Sequence, residues 1–233
     1  MKYTLALLTL QSFFLGSTVF ANQNQEAFGE SLDREYFTVS NREVEEVDSD
    51  VEFFTHRPNL KSVTATIATA NKLIAIGTKV WSIVEKGRPV STVNMKAQVA
   101  VLPETESTML AFQQMQGWEY PITKVYEVVY KNFYGMKVVK FKYAVTFEHG
   151  GTYQGKGQYL NAVRIAASEV NVAWGFNFDA SAEVVSISNR GTQEDPVASV
   201  QIKLNYRTKT IVSDSRTEES FSISGDGLIN KMY

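Results

Sequence analysis

The chain has 233 residues, no cysteine, two histidines and a formal net charge of −2. Without cysteine there is no disulfide framework, no thiolate zinc site and no cysteine nucleophile. The length suits one domain that buries a core without covalent staples. The nearly balanced charge, with no module signature, points away from nucleic acid.

Lys2 precedes an apolar run over residues 5–20, and Val19 and Ala21 are small residues placed for cleavage after Ala21. A basic start, a short apolar core and small residues at the cut predict a secretory signal peptide over residues 1–21. The run is too short and too interrupted for a spanning helix. No cysteine stands after the cut to carry a lipid. The lack of cysteine and of any Asn-x-Ser/Thr sequon leans towards a bacterial envelope protein, periplasmic or secreted.

Residues 22–60 form an acidic leader, with ten acidic residues against Arg34, Arg42 and Arg57. The remaining body, residues 61–233, holds 19 basic and 15 acidic residues. Asp48, Asp50 and Glu52 alternate, but the turn glycine and distal glutamate of a calcium loop are out of register, so no metal site is predicted. Val47, Val51, Phe53 and Phe54 flank the acidic run. Their presence predicts that part of the leader packs on the body, along a basic face.

Residues 61–86 carry a helical period. Val63, Ile67, Ala70, Ile74, Gly77, Trp81 and Val84 recur at spacings of three and four, and Gly87 and Pro89 read as a stop. The expectation is one long amphipathic helix packed on a sheet. In a second reading the same helix is membrane-active, with Lys72, Lys79 and Trp81 as its membrane contacts.

After Pro89 the period falls to two. Alternation over residues 93–101, 139–147, 172–178 and 200–209 predicts half-buried antiparallel strands. Residues 124–134 read as a strand apolar on both faces, and Phe221 and Ile223 as a short last strand. Asn132 to Gly135 marks a hairpin, and residues 189–196 a longer connection. The predicted fold is mainly β: an antiparallel β-sandwich with the long N-terminal helix packed on it. A closed outer-membrane barrel fits less well, because charged positions interrupt the strand faces that lipid would cover.

Residues 150–158 nearly spell a phosphate loop, with Gly150, Gly155 and Lys156 in place but Gly157 where the magnesium-binding hydroxyl belongs. Residues 158–172 read as strand rather than helix, so the glycine stretch is expected to be a wide hairpin loop and no nucleotide is predicted. His56 and His149 stand apart from any nucleophile motif, and no cofactor or catalytic residue is assigned. A pair of carboxylates far apart in sequence leaves no local trace, so a hydrolase stays open as a third reading. Tyr153 and Tyr159 flank the glycines, with Gln154 and Lys156 between them. Aromatic faces beside amides make these four the candidate ligand-binding residues, suited to a glycan. Lys140 and Lys142 on one strand, and Lys203, Arg207 and Lys209 on another, suit an anionic envelope surface. The expected function is that of an exported, non-catalytic protein that binds or assembles, with a glycan, a membrane surface or a protein as ligand. Long alternating strands favour a homo-oligomer through an open edge.

Overall fold

In the computed structural model, the described residues are 34–48, 66–70, 72–90 and 98–232. The expected signal peptide, His56 and the Phe53–Phe54 pair lie outside them, as does most of the 93–101 segment. In chain order the elements are β1 (Val39–Val47), β2 (Thr66–Ala70), β3 (Leu73–Gly77), β4 (Val80–Glu85), β5 (Arg88–Pro89) and β6 (Val99–Pro103). A short helix α1 (Thr108–Gln114) comes next, capped by the Ser107 hydroxyl. Then come β7 (Met115–Gln116), β8 (Ile122–Asn132), β9 (Lys137–Tyr153), β10 (Lys156–Val172) and β11 (Asn177–Asn189). The last are β12 (Ala198–Lys209), β13 (Asp214–Ser224) and β14 (Ile229–Lys231).

The molecule is mainly β, and its antiparallel sheets curl into a half-barrel. One sheet runs β1-β8-β9-β10-β6-β3-β2, with β7 added beside β9; the other runs β14-β13-β12-β11-β4-β5. Alternation explains the facing sides. Val139, Phe141, Tyr143, Val145 and Phe147 of β9 are buried in the core, while Lys140 and Lys142 turn outward to Glu127 and Glu169. From the second sheet, Phe178, Tyr206 and Phe221 meet them. The Phe141 and Phe178 rings lie 5.0 Å apart, and Tyr143 and Phe221 6.2 Å. Such pairs add about 0.5–1.5 kcal/mol each beyond their buried area.

The long helix does not form. Residues 66–85 fold as β2, β3 and β4, and no long helix exists among the described residues. The same stripe of apolar residues serves short strands, of which β3 is dry on both faces. Leu73, Ala75 and Ile76 are buried on β3, and Trp81, Ile83 and Val84 on β4. Strands this short, with β3 dry on both sides, leave no clear period of two, and spacings of three and four then appear by accident. Breaks lie where the backbone leaves the extended region: Lys72 at φ 68°, Gly77 at 133°, Lys86 at 50° and Gly87 at 71°. At Gly77 any side chain would also strike the Gln98 carbonyl oxygen, 2.1 Å from an added Cβ.

Two further expectations change. Residues 172–178 are not one strand, because β10 ends at Val172 and β11 begins at Asn177, with Gly175 at φ 81° in the turn between them. The 150–158 stretch is no wide loop. Strands β9 and β10 continue through it to a tight turn at Gln154 and Gly155, with φ of 53° and 73°. The turn leads into strand β10 rather than a helix, so no helix N-terminus faces a phosphate there.

Part of the acidic leader is a strand of the first sheet. β1 pairs along β8, and Glu43 and Glu46 reach Lys131 and Lys124 at 2.7 and 2.6 Å.

Candidate functional site

The ligand-binding candidates of the turn do not form a common face. Tyr159 is only 4% exposed, and its ring lies over Gly157, 2.5 Å from where a Cβ would stand. Burial, then the nearby Asp195 and Tyr153, raise its hydroxyl pKa. Tyr153 packs half-buried against the core. Gln154 and Lys156 are left exposed on the turn. Nor do Lys72, Lys79 and Trp81 form a membrane face. Trp81 is 6% exposed and its indole N–H donates to the Ile165 carbonyl at 3.1 Å. Lys72 precedes β3 and Lys79 comes after it, so the two lysines stand at opposite ends of one short strand. The helix that was to carry them is absent.

A buried carboxylate that the sequence did not single out lies between the sheets. Glu219 of β13 is 2% exposed. It accepts hydrogen bonds from Tyr206 at 2.6 Å and from Tyr143, and ion pairs reach it from Lys231 at 3.0 Å and Arg42 at 3.5 Å. Lys231 also sits 4.9 Å above the Tyr126 ring. Burial first, then the Glu219 charge, raises the Tyr143 and Tyr206 hydroxyls far above the usual phenol range. Burial, then Glu46 and Glu219, raises Tyr126 to about 12. Two tyrosines and two cations engage this carboxylate, which ties β1, β9, β12, β13 and β14 together.

The exposed groups that converge are at one end of the half-barrel, where three hairpin tips meet on the segment Tyr36–Phe37. Asn132 holds the β8–β9 tip. Its side chain accepts from the Tyr134 and Met136 amides at 3.1 and 3.0 Å and donates to the Tyr36 carbonyl at 3.2 Å. At the β10–β11 tip, the Tyr36 hydroxyl donates to the Trp174 carbonyl at 3.3 Å, and the Phe37 and Trp174 rings lie 5.9 Å apart. At the β12–β13 tip, the Thr210 hydroxyl donates to the Phe37 carbonyl at 2.9 Å. The β4–β5 turn joins the same end, since the Gly87 amide donates to the Phe178 carbonyl at 2.8 Å.

These tips carry apolar side chains in water. Trp174 is 82% exposed, Ile211 79% and Phe133 62%, and Tyr134, Met136 and Val212 are exposed beside them. Arg34, Lys86, Arg88, Lys137 and Lys209, all exposed, surround the tips. Of the acids nearby, Glu35, Glu85 and Asp179 are exposed, Asp179 accepting from the Lys86 amide at 2.8 Å, and Asp214 is held by Arg207 in a two-point ion pair. Convex apolar tips ringed by cations suit a surface that is oily inside and anionic outside. Sequence reasoning missed this end. A signal was present, because Phe133, Tyr134, Trp174, Ile211 and Val212 put large apolar groups where turns normally carry polar ones.

Among the described residues no group of three or more His, Asp or Glu side chains is placed to hold a metal ion. No helix among them is long and apolar enough to cross a membrane. No protein-family model matches the chain, and neither the curated proteins nor the solved structures contain a match to it.

Proposed function

We propose that this chain is an exported, non-catalytic binding protein that docks on a membrane surface by its hairpin-tip end. The observation that carries the reading is the convergence of Phe133, Trp174 and Ile211 on one end, exposed and ringed by five basic residues. Trp and Tyr suit the headgroup region, where a ring is half solvated. Fully burying one such side chain contributes about 1.5–3 kcal/mol, and each nearby cation adds about 1 kcal/mol on an anionic leaflet. The N-terminal apolar run with its small-residue cut supports export. The non-catalytic reading rests on Glu219, the one buried carboxylate among the described residues, which is taken up by Tyr143, Tyr206, Lys231 and Arg42.

The test is co-sedimentation of the protein with vesicles of phosphatidylglycerol and phosphatidylcholine, and of phosphatidylcholine alone. Binding to the anionic vesicles is expected, weakened at high salt, and lost in the double variant Trp174→Ser, Ile211→Ser. Binding that survives the double variant, or no binding to either vesicle, overturns the proposal. In the second case the same end is left for a protein partner.

A further inference from the structure

The outer face of the second sheet carries a trough that the membrane reading does not use. Its volume is about 360 Å³, and it runs across β4, β11, β12 and β13. Its floor is one cross-strand row: Ser82 opposes Ser181, Ser181 opposes Asn205, and Asn205 opposes Glu218. The next row sets Arg207 between Asp179 and Arg216. Short side chains flanked by long ones make a depression on a surface that would otherwise be flat. The flanking positions Ala180, Ala182, Leu204 and Tyr206 face the core, so the row is fixed outward by the pleat.

Three observations give the trough a ligand class. First, Ser and Asn are poor strand residues, and three of them lie side by side on adjacent strands where Thr, Val or Tyr would strengthen the sheet. A local rule broken without structural gain marks a position kept for another purpose. Second, hydroxyl, amide, guanidinium and carboxylate groups place donors and acceptors within one small area. Ser82, Ser181 and Asn205 spend no side-chain hydrogen bond on other described residues. Third, the charges nearly cancel. Arg207 is paired with Asp214 and Glu218 with Lys203 at 3.4 Å, which leaves Arg216 against Asp179 and Glu85. A ligand with many hydroxyls and no net charge fits that balance, whereas a polyanion does not.

We infer that the trough is a binding site for a neutral saccharide, a short hexose chain lying along the Ser82–Asn205 row. Arg216 and Asn205 donate to its hydroxyl oxygens, and Asp179 and Glu218 accept from its hydroxyls. The site stands on strands rather than loops. β12 and β13 pair without a register shift from Ser199 to Lys209, so the groups are held in place before the ligand arrives.

The experiment is saturation-transfer NMR and calorimetry on the full protein with cellotriose and chitotriose, and with a sulfated disaccharide as the charged comparison. At least one neutral trisaccharide is expected to bind, and the sulfated one is not. Asn205→Thr is the decisive variant. It raises the melting temperature, because Thr suits the strand, while it weakens saccharide binding about tenfold or more by removing the amide. Vesicle binding by the tips stays unchanged in this variant, so the two readings fail separately. No binding of either neutral sugar, preference for the sulfated one, or binding that Asn205→Thr leaves intact overturns the inference.

Discussion

Glu219 is a charge placed where the two sheets close on each other, and its surroundings fix what its loss does. Replacing it by Leu leaves the Tyr143 and Tyr206 hydroxyls and Lys231 without their acceptor. Removing one partner of a fully buried pair costs about 3–5 kcal/mol. Arg42 and Lys231 are partly in water, so the expected loss is smaller, about 2–4 kcal/mol, read as a lower denaturation midpoint. The tyrosines around it also set the alkaline limit. In the unfolded chain they lose their protons near pH 10, whereas Tyr126, Tyr143 and Tyr206 hold theirs in the fold. Above about pH 10 the folded state therefore binds more protons, and stability falls as pH rises. Below that pH the contribution is complete. The melting temperature should drop as pH rises from about 10 towards 12, and part of the tyrosinate absorbance should appear only with unfolding.

At the scale of elements, the turns decide more than the strands do. The β10–β11 turn needs a residue at φ 81° that also clears the Phe37 ring, since a Cβ on Gly175 would stand 2.3 Å from it. Gly175→Ala is expected to cost roughly 1–3 kcal/mol in urea melts. It should also displace Trp174 and weaken vesicle binding, whereas the same substitution at Gly155, which meets nothing within 4 Å, should cost backbone strain alone. The 66–85 segment shows the limit of periodic reading. Its stripe fits a helix as well as three short strands, and its β-branched Thr, Ile and Val residues favour the strands only weakly. The β6–β3 and β4–β11 pairings settle it, because they supply the segment's backbone hydrogen bonds from elsewhere in the chain.

At the scale of the whole molecule, the two proposed binding faces are ones that no single segment contains. The proposed docking end draws on residues from 34 to 213, brought together by Tyr36 and Phe37. If it meets an anionic leaflet, its binding falls with salt because the cations are exposed and screened, while the apolar tips leave a salt-resistant remainder. Vesicle binding measured from low to high salt should therefore decline to a plateau, and Lys137→Ala with Lys209→Ala should flatten the slope and keep the plateau. The sheet edge at β1 is lined with Glu43, Glu45 and Glu46, and edge charge of this kind discourages strand-to-strand association.

Alternation by itself determined the strands at 139–147 and 200–209, because one dry face and one wet face leave a period of two in the residues, while 124–134 was legible as a strand from apolar residues on both of its faces. The Asn132–Gly135 hairpin was legible for the same local reason, and so was the improbability of a phosphate loop at Gly157. Only the tertiary structure decided the rest. Whether residues 66–85 wind or extend depends on partners up to about a hundred residues away. Tyr159 reads in sequence as an exposed ring, but packing puts it in the core. Trp174 reads as a core residue in an alternating run, and the turn at Gly175 puts it in water. Glu219 looks like any surface acid until two sheets close over it. Local periodicity records which residues are dry, and it does not record which distant residues keep them so.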